Sequence, residues 1–252
     1  MSILSRSEDQ IIFYMDDKAS KHYSQFKFLE LLTLEKMQKF IGVKIFGLFS
    51  YGSTVYENKD PEDLDFIIIT DKEREQIVYD WNGVSIQVTF YTLKSFEDAL
   101  TNQEMFAIEC LSISLDNNGD KLIHSLYNQD VSDLLDEYKP NSKLVRSSTS
   151  EKSSNSYVKA KKKITLKEDF DFDASLKSLW HSLRMVDFAI QVCKFGYIKD
   201  FSSMNEQFDE VAEDYEKFSE FNEPTLFWDF IHSKYKSKQN NLLSQLRKLA
   251  PK

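Results

Sequence analysis

The 252-residue chain is 41% hydrophobic and 14% aromatic, with 20 Phe and 12 Tyr, which is material for one large hydrophobic core or two ordinary ones. Its formal net charge of −9 opposes indiscriminate nucleic-acid binding over the whole surface, although a local basic groove remains compatible with it. The longest apolar runs, such as Phe66 to Ile69, fall far short of the ~20 residues a membrane span needs, and Met1 to Gln10 is polar and acidic where a signal peptide is apolar, so a soluble cytoplasmic protein with no membrane partner is expected.

Only 6 Gly and 4 Pro occur, which favours long helices over many tight hairpins. In chain order, Phe26 to Phe40 carries apolar residues at helical spacing and predicts an amphipathic helix. Val43 to Phe49 predicts a buried strand running into Ser50-Tyr51-Gly52-Ser53. The acidic stretch Tyr56 to Glu62, with Pro61, predicts a loop, and Asp63 to Thr70 a strand dense in β-branched residues. Asn82-Gly83 marks a turn, after which Val84 to Thr92 alternates as a third strand. Ser95 is expected to cap a short helix with Asp98 at its N3 position, and Met105 to Leu115 is apolar enough to pack under the sheet.

Lys139 to Ser156 is polar and Ser-rich, the composition of a linker or mobile loop. Beyond it the pattern turns helical. Leu176, Leu179, Leu183, Val186, Ile190 and Cys193 recur at three- and four-residue steps, Gly196 ends that helix, and Phe208 to Phe221 and Leu226 to Leu249 continue in the same style. The expected architecture is α+β: a small mixed-sheet domain flanked by helices over residues 1–138, a connector over 139–156, and an all-helical domain over 157–252. Cys110 and Cys193 sit inside apolar patterns without metal-ligand spacing and read as buried thiols.

The chemistry is concentrated in one constellation. In Asp63-Leu64-Asp65 the strand period of two puts both carboxylates on one face, with Leu64 and Phe66 on the other. Two aligned carboxylates are a platform for Mg²⁺ (or Mn²⁺), which takes oxygen ligands and shares its shell with substrate phosphates. Gly52, at a strand end, lets the backbone approach a polyphosphate closely, and the Ser53 hydroxyl adds a donor. Nine residues, Thr54 to Glu62, separate the two elements.

The string Phe49-Ser50-Tyr51-Gly52-Ser53, followed by Asp63-Leu64-Asp65-Phe66, resembles the signature of the DNA polymerase β-type nucleotidyltransferase superfamily. Within it, the chain is most similar to the nucleotidyltransferases associated with RNA-repair operons, which also occur in phage genomes; for a phage protein the site of action would be the host cytoplasm. Val88 to Phe96, with Asn102 and Ala107 to Leu111, is similar to that family's third strand and following helix. Lys177 to Arg184, with Gly196 beyond, is similar to its C-terminal helical region. The resemblance implies a nucleoside triphosphate substrate, Mg²⁺, and transfer of a nucleoside monophosphate to a hydroxyl of an RNA end, a protein or a small molecule, with loss of pyrophosphate. Gly52 and Ser53 would hold the triphosphate and Asp63 and Asp65 the metal, in a cleft between the domains. The superfamily's third carboxylate falls at Gln87 here. An amide coordinates weakly through oxygen but cannot take a proton, so a substitute is needed, with Glu109 or the Glu57 to Glu62 loop in view, or the chain is a non-catalytic nucleotide- or partner-binding module.

Lys177, His181 and Arg184 stand at i, i+4 and i+7 and line one helical face, a candidate phosphate or nucleotide contact. Lys159, Lys161, Lys162, Lys163 and Lys167 form a basic run with no interleaved aromatic residue, the pattern of a solvated face or an RNA contact. His22, His124, His181 and His232 are too dispersed for a zinc motif, no arginine precedes a histidine at nuclease-like spacing, and no Walker loop, hydrolase nucleophile motif or dinucleotide-binding glycine pattern occurs.

Overall fold

The computed structural model describes residues 33–56, 63–73, 76–81, 84–115 and 125–251. Helix α1 (Leu34–Ile41) is capped by Thr33, whose Oγ1 accepts the Lys36 N–H, and closes at Gly42 in the left-handed region. The remainder of the helix expected from Phe26 lies outside the described residues. Strand β1 (Ile45–Tyr51) follows, then a short helical turn α2 (Ser53–Tyr56), β2 (Asp63–Thr70), β3 (Ile77–Trp81) and β4 (Val84–Thr92). Helices α3 (Leu93–Thr101) and α4 (Met105–Leu115), the short strand β5 (Ser125–Tyr127) and α5 (Gln129–Glu137) complete this part of the chain. Tyr56, read as the first residue of a loop over Tyr56 to Glu62, is the last residue of α2, and 57–62 and the Asn82-Gly83 turn lie outside the described residues.

The strands form one five-stranded sheet in the order β3-β4-β2-β1-β5. β2 and β4 are parallel, and the other neighbours are antiparallel, so the sheet is mixed. Both β3 and β5 exceed the three strands read from sequence. β3 is preceded by a charged stretch and β5 has only three residues, so neither carries a long alternating signal.

One face of the sheet packs on α1. Met37 and Ile41 meet Leu48, Leu64, Phe66, Ile68, Ile86, Val88 and Phe90 in a shared core, joined by Tyr79. On the opposite face, the Phe49 ring stacks on Phe96 of α3 and on Tyr127, and Gly47 leaves room for Val131 of α5. From Phe66 to Thr70 every residue of β2 is buried, whereas Asp63 and Asp65 are only half-buried, so the polar end of that strand lies where helical cover stops. The cap of α3 sits three residues earlier than expected. Thr92 Oγ1 accepts the Ser95 N–H at 3.0 Å and Ser95 Oγ accepts the Thr92 N–H at 2.8 Å, a reciprocal capping box. Asp98 instead pairs with Lys94.

The chain divides into two compact units: Met1–Thr101 with Glu109–Tyr138, and Asn102–Ile108 with Lys139–Lys252. In the second unit, α6 (Ser142–Thr165) covers most of the stretch expected to be a linker. Asn141 caps it, and its Val145, Thr149, Ser153, Tyr157, Ala160 and Ile164 are buried at helical spacing. Small polar residues there admit a close neighbour. Ser153 Oγ donates to the carbonyl of Ser182 and Ser175 Oγ to that of Ala160, which fixes α6 antiparallel to α7 (Phe172–Phe195). Serine content suggested mobility; the hydroxyls in fact stitch two helices together. Gly196 ends α7 at φ 88°, as expected. Helices α8 (Asn205–Glu216) and α9 (Pro224–Leu249) complete the unit, with Tyr215 and Phe218 edge-on to Phe227 at its centre.

Candidate functional site

The site in the first unit is set by β-sheet register. Asp65 lies opposite Tyr51 on β1 and opposite Gln87 on β4, and Asp63 lies opposite Ser85. Residues paired across strands project to the same side. Asp63, Asp65, Ser85, Gln87 and Tyr51 therefore share one face, while Leu64, Phe66, Ile86 and Val88 fill the core beneath, all at 2% exposure or less. Gln87 occupies the position beside Asp65 that the resemblance assigned to a third carboxylate.

Gly52 brings the chain back onto this face. Its φ of 68° is a left-handed conformation in which any side chain is strained. A Cβ built there would run into the Asp65 carboxylate, 3.0 Å from its Cγ and 3.1 Å from its Cβ. The absence of a side chain thus lets the backbone bend lie directly against Asp65. Ser53 follows as the first residue of α2, whose Val55 N–H donates to the Gly52 carbonyl at 3.0 Å.

Two members of this face escaped the sequence reading. Ser85 was legible, since it lies two residues before Gln87 on an alternating strand. Asp80 was not. It lies opposite Ser85 on β3, a strand without a clear pattern, and so stands on the same side as Asp63.

Glu109 is the described candidate for a substitute carboxylate. It is 2% exposed on α4 and accepts a hydrogen bond from the Tyr56 hydroxyl. The Glu57 to Glu62 carboxylates lie outside the described residues. Among the described residues, no group of three or more His, Cys, Asp or Glu side chains is placed to hold a metal ion. The ligand atoms the face offers a cation are oxygens: the carboxylates of Asp63 and Asp65, with Asp80 on the same side two strands away and the Gln87 amide oxygen beside Asp65. That set suits Mg²⁺, which is held by one or two carboxylates together with substrate phosphates and water, and it does not suit a closed zinc site.

Lys177, His181 and Arg184 belong to the second unit, and their environments differ. Lys177 is exposed, His181 half-buried, and Arg184 only 5% exposed. The Arg184 guanidinium lies 4.4 Å from the Trp180 ring centroid and 5.6 Å from that of Phe188, and its Nη2 is 3.0 Å from His181 Nδ1. A guanidinium can only donate, so Nδ1 accepts and the ring proton of neutral His181 sits on Nε2. Burial pushes the imidazole pKa down to about 3, helped by the positive charges of Arg184, Lys159 and Lys152. The face read as a candidate phosphate or nucleotide contact is one exposed lysine beside a packed pair, a neutral histidine against a charged arginine.

Cys110 is fully buried, and burial, with Glu109 adjacent, pushes its thiol well above the ordinary range. Cys193 is half-buried rather than buried. No helix among the described residues is long and apolar enough to cross a membrane.

No family model matches the chain, and no curated protein matches it. A solved structure of a nucleotidyltransferase-like protein from Exiguobacterium sibiricum 255-15 is similar over 90% of this chain and 74% of its own, with 12% identity and a TM-score of 0.33. At that TM-score the two structures are too loosely alike to assign one fold from the other.

Proposed function

We propose that this protein is a Mg²⁺-dependent (or Mn²⁺-dependent) nucleotidyltransferase that moves a nucleoside monophosphate from a nucleoside triphosphate to a hydroxyl acceptor. The observation that carries the reading is the close fit of the Gly52 bend against Asp65, with Asp63 on the same face. A polyphosphate approaching the half-buried backbone of that bend would meet a cation held by the two carboxylates. Asp63 and Asp65 are the residues that would hold it, and when bound it supplies charge neutralisation to the polyphosphate and the departing pyrophosphate.

In the reaction, the acceptor O–H bond breaks, its oxygen bonds to the α-phosphorus, and the bond from that phosphorus to pyrophosphate breaks. Gln87 can orient the acceptor by hydrogen bonding but cannot receive its proton, which therefore leaves to water. Catalysis rests on positioning and electrostatics. In the helical unit, Lys177 and the neutral Nε2–H of His181 are assigned to phosphate contacts, with Arg184 orienting the ring. An RNA end is the acceptor we favour over a protein or small molecule, in keeping with the resemblance to RNA-repair and phage enzymes and with a cytoplasmic setting where nucleoside triphosphates are abundant.

Incubation with α-labelled nucleoside triphosphates, Mg²⁺ or Mn²⁺ and RNA or protein acceptors tests this reading. Label transfer that disappears in Asp65→Asn supports it. Gln87 favours a second reading, a module that binds nucleotide or a partner without turnover. Thermal stabilisation by nucleotide with no label transfer under any condition supports that module instead.

A further inference from the structure

The turn that follows Gly52 is also held from helix α4. Helix α4 (MFAIECLSISL) carries a single charged residue, Glu109, which is 2% exposed. A carboxylate in such surroundings is costly unless hydrogen-bonded. One partner is the hydroxyl of Tyr56, the last residue of the turn that begins at Gly52. Tyr56 is 3% exposed, and its ring sits edge-on to Tyr51, the residue before Gly52, with centroids 6.2 Å apart. The Val55 and Tyr56 amides both point at the Gly52 carbonyl, at 3.0 and 3.4 Å. The five-residue turn from Gly52 to Tyr56 is therefore closed on itself, seated on Asp65 at one end and hydrogen-bonded to Glu109 at the other.

We propose that Glu109 and Tyr56 are positioning residues that hold the Gly52–Tyr56 turn in its ligand-ready form, so that its backbone need not be reordered when a triphosphate arrives. The assignment rests on the nucleotide reading above for its purpose, and on the hydrogen bond between the two side chains for its geometry. Neither residue needs to touch substrate. A binding loop held in place beforehand loses less conformational freedom on binding, so the pair acts on affinity through the backbone it restrains.

The test uses the full chain with Tyr56→Phe, Glu109→Leu and Glu109→Gln. Two readouts are followed: amide hydrogen exchange without ligand, and thermal stabilisation by each of the four ribonucleoside triphosphates with Mg²⁺. Tyr56→Phe keeps the ring and removes only the hydroxyl. It is expected to speed exchange at residues 52–56 and to weaken triphosphate affinity roughly tenfold, as loss of one buried hydrogen bond would. Glu109→Leu should do the same, and the double variant with Tyr56→Phe should be no worse than either alone. Glu109→Gln should restore most of the protection, because its amide oxygen still accepts from the phenol. Wild-type exchange and affinity in Tyr56→Phe would overturn the proposal, as would faster exchange spread evenly over the whole sheet. Should the wild-type protein bind no triphosphate, the nucleotide reading fails by itself, and exchange at residues 52–56 alone decides whether the pair holds the turn.

Discussion

Gly52 and Asp65 occupy adjoining space so closely that a single methyl group on Gly52 would collide with the Asp65 carboxylate. The left-handed bend at φ 68° and the carboxylate two residues along from Asp63 are parts of one device. Gly52→Ala is therefore expected to act twice. It strains the backbone by about 1–2 kcal/mol, and it displaces Asp65 from the face it shares with Asp63. Calorimetric unfolding should show the lower stability, and loss of nucleotide-dependent thermal stabilisation should exceed what the stability change explains. A Gly52→Ala protein that binds nucleotide normally would separate the bend from the site.

Gln87 stands in register with Asp65 on the neighbouring parallel strand, so a carboxylate at that position would add a ligand and a proton acceptor without moving the backbone. Gln87→Asp should raise label transfer, by up to the ~10²–10⁴-fold typical of general acid–base catalysis if that carboxylate is the missing base. Unchanged or lower transfer would show that Gln87 is not a vacated ligand. Like-charge repulsion beside Asp65 should lower thermal stability slightly in the absence of Mg²⁺ and restore it in its presence.

His181 makes stability depend on pH. Its folded-state pKa is pushed down to about 3 by burial and by the neighbouring cations, against about 6.5 in the unfolded chain. Between those values the unfolded state binds the extra proton, so folding stability falls as pH drops below about 6.5 and the loss is complete near pH 3. The slope is at most about 1.4 kcal/mol per pH unit. Unfolding free energies measured from pH 7 to 5 should decline for the native protein. In His181→Gln that decline should flatten, because the group that takes up the proton is gone.

Asp214 anchors the second unit's core. It is 1% exposed, and it accepts from Lys217 at 2.7 Å, Lys234 at 2.6 Å and Tyr235 Oη at 2.7 Å. Burial alone would raise its pKa, but the three donors outweigh that and hold it below the ordinary carboxylate range. A depressed carboxylate contributes stability that is present above the ordinary range and lost as pH falls through the folded value. Asp214→Ala should cost about 1–3 kcal/mol, largely because Tyr235 is left buried without its acceptor. Tyr235→Phe combined with Asp214→Ala should recover part of that loss, as a thermal unfolding series would show.

Much of this was legible along the chain. Asp63 to Thr70 is the strand its β-branched residues predict, with the same bounds, and period-two alternation alone puts Asp63 and Asp65 on one side. Gly196 ends α7 as its position after the last apolar step requires. Where the reading departed from the structure, the missing information was a partner distant in sequence. Ser153 looks like linker chemistry until Ser182 is placed beside it, and nothing near Glu109 in the sequence points to Tyr56 as a hydrogen-bond donor to it.

Local periodicity and residue type by themselves determined the bounds of β2, the end of α7 at Gly196, the face of the carboxylate pair and the need for glycine at a bend, because each depends on a few neighbouring dihedrals and steric limits. Packing decided the rest. Pairing of β2 with β4 brought Gln87 beside Asp65, pairing of β4 with β3 added Asp80 to the same side, and burial turned His181 into a neutral ring against Arg184. Register, burial and charge state are set by contacts between segments far apart in the chain, and no single segment encodes them.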